Sequence, residues 1–346
     1  MTSTKAAAAA LTALALLAGC SAVGPTGEDA ATDTVVLITH DSFALPEDLV
    51  AAFEADTGLT LETRAPGDAG SLVNQLVLTK DAPLGDAVYG IDTTYASRAV
   101  EEGVLADYVS PAAGPDAAAL AIGEQLTAID VGDVCVNVDH EWFAQAGIPE
   151  PATLADLTDP AYADLLVVTD PATSSPGLAF LLATVATFGE DGWEQYWTDL
   201  RANGVKVAAG WSDAYYVDFS GPSSEGDRPL VVSYASSPPY EVPEGADVAP
   251  TGALLDTCFR QVEYAGVLAG AANPAGARQV IDWLLSAEVQ AAIPESMYVH
   301  PVDPTVELPE AWARFAPLPD APLSLPAAEI TAHRDAWIRA WADVMG

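Results

Sequence analysis

The sequence predicts an α/β fold, and three features carry that reading. Short apolar runs of strand length alternate with longer stretches that carry an apolar stripe at helical spacing. The breaks between them hold Gly, Pro or Asp, and beyond the first 20 residues no unbroken apolar run approaches membrane-spanning length. Strand–helix alternation implies a mostly parallel sheet covered by helices on both faces. About 310 residues follow the N-terminal segment, enough for two lobes with a core each.

In chain order, Val35–Thr39 (VVLIT) reads as a buried strand and Leu45–Thr57 as a helix closed by Gly58. LTLETRA returns as a strand, Ala69–Leu78 is a second helix, DAVYGI a third strand, and Tyr95–Glu102 a third helix ending at Gly103. VGDVCVNVD and LLVVTD are strands, Ser175–Phe188 and Asp191–Asn203 helices, and PLVVSYASSPPY a strand running into a loop. CFRQVEYAGVLAG is long enough to cross between lobes. Pro274–Ala291 reads as one helix, Pro301–Pro326 as a proline-rich surface wrap, and Ala327–Val344 as a closing amphipathic helix. There is no internal repeat.

The N-terminus has the pattern of an export signal: one positive charge at Lys5, then the run AAAAALTALALLAGC. Its ending, Leu17-Ala18-Gly19-Cys20, is similar to a bacterial lipoprotein box, which implies cleavage before Cys20 and lipidation of its thiol. Residues 1–19 are then the signal, and 20–33 a small, polar, acidic tether outside the cytoplasmic membrane. In that oxidising compartment Cys135 and Cys258 remain as a pair, both in strand-like segments, and are expected to form a disulfide.

A net charge of −38 argues against nucleic acid or an anionic membrane surface as partner, since both require basic patches. It would draw in a cationic ligand, or serve only solubility. Catalytic patterns are missing: there are four histidines (His40, His140, His300, His333), no G-x-S-x-G, no H-E-x-x-H and no phosphate-binding glycine loop after a strand. No metal site or cofactor is expected. With 50 Asp and Glu, carboxylate pairs discriminate nothing.

Two features point to a binding site. In TDPATSSPGLAFLL (Thr169–Leu182) a strand gives way to a helix through two serines, so Ser174, Ser175 and the backbone near Gly177 can offer donors to a ligand. The alternative is that the serines only cap the helix. Aromatic residues also gather in strand-end loops: Trp211, Tyr215 and Tyr216 in AAGWSDAYYVDF, Tyr234 and Tyr240 in VVSYASSPPY, Tyr298 in IPESMYVHPV. In open α/β proteins such loops surround the ligand crevice, and aromatic faces suit a flat or cationic ligand. Packing is the alternative for each ring, and adjacent tyrosines such as Tyr215-Tyr216 also serve ferric iron as phenolate ligands.

THDSFA (Thr39–Ala44), YGIDTT (Tyr89–Thr94), DPATSSPGL (Asp170–Leu178), GWSDAY (Gly210–Tyr215), SYASSPPY (Ser233–Tyr240), WLLSAEVQAAIP (Trp283–Pro294) and the closing helix occur in one order along the chain. Together they resemble the thiamine-binding component of a bacterial thiamine ABC transporter, over essentially the whole mature domain. The resemblance implies the two-lobed type II periplasmic binding protein fold, with lobe one at 34–129 and 269–296 and lobe two at 130–268 and 297–346. It implies a monomeric, non-enzymatic protein, anchored to the membrane only by its lipid, that hands thiamine or a thiamine phosphate to a permease. It also implies that Asp92, Ser174, Trp211, Tyr234 and Tyr240 line the cleft, with His40, Asp41, Tyr215 and Tyr298 completing the expected ligand set. Two positions depart from the family: His40 replaces a tyrosine before Asp-Ser-Phe, and Tyr298 stands where a tryptophan is expected.

Overall fold

In the computed structural model, residues 33–346 are described; the export signal and the Cys20 lipidation site lie outside the described residues. The chain opens with β1 (Thr34–Ile38), α1 (Glu47–Thr57), β2 (Thr60–Arg64), α2 (Ala69–Leu78), β3 (Ala87–Asp92), α3 (Ala96–Glu101) and α4 (Pro115–Leu120). The long strand β4 (Thr127–Asp139) leads through α5 (His140–Ala146) to β5 (Leu166–Thr169), α6 (Ser175–Phe188), α7 (Trp193–Ala202), β6 (Lys206–Ala208), the single turn α8 (Trp211–Asp213) and β7 (Leu230–Tyr234). A second long strand, β8 (Thr251–Val267), returns to α9 (Pro274–Leu284), α10 (Ala287–Met297), β9 (His300–Pro301), α11 (Glu310–Phe315) and α12 (Ala327–Met345).

The strands make one sheet in the order β2-β1-β3-β8-β4-β7-β5-β6, with β9 paired to β4. The expectation of a mostly parallel sheet needs correction. Pairing is parallel only toward the two edges, at β1–β2, β1–β3, β5–β6 and β5–β7. Across the middle, β3–β8, β4–β8, β4–β7 and β4–β9 are antiparallel. Two long strands crossing the molecule side by side in opposite directions force that change, and strand–helix alternation carries no sign of it.

Local chemistry accounts for several element ends. Gly58 closes α1 at φ 73°, its N–H reaching the Glu54 carbonyl, a conformation that favours glycine. Asp68 caps α2 by accepting from the Ala69 N–H. The expected single helix over Pro274–Ala291 is two, because Ser286 caps a new start by accepting from the Val289 N–H at 3.3 Å. Helix α6 is apolar on all sides and buried from Ser175 to Val185, which places it between the sheet and α7. The proline-rich stretch does more than wrap the surface: Trp312 of α11 is 2% exposed, and Leu323 bridges to Phe259 of β8.

Cys135 and Cys258 form a disulfide with a Cα separation of 4.1 Å. It joins the neighbouring strands β4 and β8 where their register shifts between Val134 and Val136. The Thr257 hydroxyl fills the gap, donating to the Leu254 carbonyl and accepting from the Val136 N–H. Among the described residues no helix is long and apolar enough to cross a membrane.

Candidate functional site

A cavity of about 300 Å³ opens where the loop after β1, the start of α2, the start of α6 and the end of α10 converge. That is the small end of the range for small-molecule sites. Two kinds of side chain form it.

One wall is aromatic. Trp211, at the turn after β6, stacks on Tyr215 at 5.1 Å and meets Tyr216 edge-on at 5.3 Å, and its Nε1 donates to the Ser233 hydroxyl at 2.8 Å. Tyr234 ends β7, with its ring 6.3 Å from that of Trp211. Tyr298 holds the left-handed conformation (φ 53°) at the end of α10, uncommon for a residue with a side chain and costing about 1 kcal/mol or more. Its carbonyl accepts from the Ser236 hydroxyl at 2.6 Å, and its ring meets Tyr240 edge-on at 4.9 Å.

The other wall is acidic. His40, Asp41, Asp68 and Glu263 supply its charge, and among the described residues lining the cavity there is no Lys or Arg. His40 fits because Gly90 lacks a side chain: a Cβ there would lie 2.3 Å from the imidazole Cδ2, and the glycine holds φ +94°. His40 Nε2 lies 3.6 Å from Glu263 and Nδ1 lies 2.9 Å from the Ser42 hydroxyl. Burial opposes charging His40, but Glu263, with smaller contributions from Asp68 and Asp41, outweighs it and raises the imidazole pKa. Burial, then Asp68, raises that of the Asp41 carboxyl.

Beneath this wall the Tyr89 hydroxyl lies 2.6 Å from Asp130 Oδ2 and 2.9 Å from Glu263 Oε2. A phenol holds one hydrogen, so it cannot donate to both, and one carboxyl must carry a proton. Burial, then Glu263, pushes the Asp130 pKa well up. Burial alone would raise Glu263 as well, yet His40, Tyr89 and Asp130 together hold it below the usual range. The surroundings thus favour the protonated form at Asp130 and the charged form at Glu263.

Of the residues expected from sequence, His40, Asp41, Trp211, Tyr234, Tyr240 and Tyr298 line the cavity. Three lie outside its lining. Asp92 is wholly buried, its Oδ1 accepting from the Thr94 N–H and hydroxyl at 2.5 Å and the Tyr95 N–H at 3.2 Å, so it shapes the turn into α3. Burial raises its pKa to about 7. Ser174 is also wholly buried, with its hydroxyl on Thr169 at 2.9 Å; its neighbour Ser175 is the one at the cavity. Tyr215, 1% exposed, backs Trp211 from below. Ser175 and Tyr216, to which the strand-end loops point as possible ligand contacts, are in the lining, and Asp68 and Glu263 join it without having been singled out. Glu263 carried a usable signal, a lone acid inside the apolar strand run CFRQVEYAGV.

The family of bacterial extracellular solute-binding proteins matches residues 86–321. The thiamine-binding periplasmic protein of Escherichia coli (strain K12) is 30% identical over 327 residues, covering 90% of this chain and 93% of its own. That of Brucella suis biovar 1 (strain 1330) is 29% identical over 90% of this chain and 92% of its own. A solved structure described as a periplasmic thiamin binding protein superposes with a TM-score of 0.79 at 28% identity, covering 90% of this chain and 96% of that one. The two-lobed α/β fold, with a lined cavity and long strands crossing the molecule, is that of periplasmic binding proteins, and the chain belongs to the bacterial extracellular solute-binding protein family.

Proposed function

We propose that this protein captures thiamine outside the cytoplasmic membrane and delivers it to the permease of an ABC importer, without catalysing a reaction. The observation that carries this reading is the pairing of an aromatic wall (Trp211, Tyr216, Tyr234, Tyr240, Tyr298) with an acidic one (Asp41, Asp68, Glu263) around a cavity lined by no Lys or Arg among the described residues. Thiamine joins an aminopyrimidine to a thiazolium cation; aromatic faces and carboxylates are the groups that stabilise such a ligand. Relatives named for thiamine binding support the same choice.

Residues 34–129 with 269–296 form lobe one in this reading, and 130–268 with 297–346 form lobe two. Asp41 and Asp68 then belong to the first lobe, and Ser175, Trp211, Tyr234, Tyr240 and Glu263 to the second, so closure brings the Asp41 and Asp68 carboxylates against the aromatics. The mature protein is a monomer tethered through lipidated Cys20, which keeps it near its permease. Ferric iron fits less well, because Tyr215 is buried under Trp211 and only Tyr216 of that adjacent pair lines the cavity. Mass spectrometry of the small molecule released when the purified protein is denatured tests the reading. Thiamine is the expected mass; a different organic solute, or iron, overturns it.

A further inference from the structure

Glu241 is buried, at 5% exposure, and among the described residues no Lys, Arg or His forms an ion pair with it. A buried carboxylate without a cation is costly and persists only where hydrogen bonds compensate it. Both of its oxygens go to one residue: Oε2 accepts the Ser223 N–H at 2.9 Å and Oε1 the Ser223 hydroxyl at 2.5 Å. Ser223 lies in the loop between α8 and β7, and Glu241 ends the short turn Pro238–Glu241 that follows β7.

The two segments joined in this way carry the aromatic wall. Before the loop, the single π turn Ala214–Asp218 supplies Tyr215 and Tyr216; after β7, Tyr240 stands next to Glu241. The base of the loop is fixed without Glu241. Asp218 pairs with Lys206 at 2.5 Å, its carbonyl accepts the Arg228 N–H at 3.0 Å, and the Ser220 hydroxyl donates to Asp139 at 2.5 Å. Toward the cavity mouth the segments meet through rings, Tyr216 edge-on to Tyr240 at 6.0 Å and Tyr215 at 6.4 Å from Tyr240. Tyr216 and Tyr240 are each 40% exposed and Val217 62%, so the outer side of this contact has little packing to hold it. Burial, then Glu241, pushes the Tyr215 phenol pKa well up, so the carboxylate charge reaches the ring beneath Trp211.

We infer that Glu241 is a positioning residue: by clasping Ser223 it ties the loop after α8 to the turn after β7 and holds Tyr216 against Tyr240 at the cavity mouth, so that bound ligand is released slowly. The identity of the ligand rests on the thiamine reading above; the clasp itself is made of protein groups alone. Glu241 acts through the rings, since it lies outside the cavity lining. Site side chains left loose by an unsupported outer layer lose affinity, and differences of this kind fall mainly on the dissociation rate.

Stopped-flow fluorescence with thiamine, alongside thermal unfolding of the ligand-free protein, tests this. Glu241→Ala should speed thiamine release at least about fivefold and leave the association rate within about twofold. Glu241→Gln keeps an oxygen for the Ser223 N–H and an amide for its hydroxyl, and should restore release to within about twofold of wild type. Ser223→Ala should speed release less than Glu241→Ala, and the double variant should be no faster than Glu241→Ala alone, because both remove the same contact. A lower unfolding temperature with an unchanged release rate in Glu241→Ala assigns Glu241 to stability alone and overturns the inference. So does release from Glu241→Gln as fast as from Glu241→Ala, or independent, multiplying effects of the two single variants. Should Glu241→Ala not fold, Ser223→Ala decides, and an unchanged release rate there overturns the clasp. A wild-type protein that binds no thiamine overturns the thiamine reading. Near-ultraviolet circular dichroism of ligand-free wild type and Glu241→Ala then decides the clasp, identical aromatic spectra overturning it.

Discussion

Two crosslinks join the crossing strands β4 and β8, both at shifts in register, and they are built from opposite materials. Cys135–Cys258 is covalent, apolar in its surroundings and wholly buried. Asp130 and Glu263 are joined instead through the Tyr89 hydroxyl, with the protonated form favoured at Asp130, the charged form at Glu263, and His40 alongside. The disulfide holds the strand pair at any pH the protein meets. The polar crosslink exists in one protonation state, and it borders the cavity. A buried charge is a poor device for stability but a good one for presenting a field to a ligand, because low-dielectric surroundings leave it unscreened. The contrast teaches that frame and site share the same two strands yet separate their tasks: register is held by the covalent link and charge by the protonated one.

Replacing both cysteines should produce the largest change. Cys135→Ala with Cys258→Ala opens a loop spanning a sequence separation of 123, and urea unfolding should show a loss of about 4–5 kcal/mol that varies little between pH 6 and 8.5. Labelling of the unreduced, denatured wild type should find neither thiol free.

Glu263→Gln attacks the other crosslink. It leaves His40 without its counter-charge, and stability should fall by about 3 kcal/mol, the low end for breaking a buried pair, given the 3.6 Å separation. The sign with pH distinguishes it from the cysteine variant. A raised His40 pKa means the pair stabilises the fold fully below the ordinary histidine value and loses that contribution as pH rises through the folded one. The loss caused by Glu263→Gln should therefore be greatest in mildly acid buffer and shrink in alkaline buffer.

Trp211→Ala moves the comparison to the aromatic wall. Thiamine affinity should drop by about 1–3 kcal/mol, the scale of a lost stacked cation contact, and the fluorescence response to ligand should diminish. An unchanged affinity would confine Trp211 to packing on Tyr215. A smaller effect is expected of His40→Tyr. In the wild type a cation should bind more tightly as pH rises and His40 discharges, by about tenfold for each unit by which the ligand lowers that pKa. The tyrosine variant should lose that slope, apart from the share that thiamine's own protonation contributes to both proteins.

Much of the frame was legible in the sequence because periodicity and turn chemistry are local. The strand at Val35, the helix closed by Gly58 and the serine-led start of α6 follow from neighbours a few residues apart. The antiparallel middle of the sheet was not legible, since it depends on β8 crossing the whole molecule. In the site, Trp211, Tyr234 and Tyr240 stood out because aromatic residues gather in the strand-end loops. Asp68 did not, because one acid among 50 has no contrast, and Glu263 could be found only by noticing a single acid inside a strand run. Asp92 and Ser174 were drawn in by motif likeness, yet their side chains serve the turn into α3 and the Thr169 contact. Matching residue type at a motif position locates the backbone; it does not decide whether a side chain faces the cavity or the interior.

The central claim, recognition of a flat cation by carboxylates set against aromatics, is tested most directly by comparing thiamine with a neutral isostere whose thiazolium is replaced by a thiophene ring. Shape and stacking area are nearly equal in the two, so calorimetric affinities isolate the charge. The site should prefer thiamine by about tenfold or more, the scale of a single retained charge–charge or cation–π contact. Equal affinity for the two would contradict the account, leaving the acidic wall without a part in recognition.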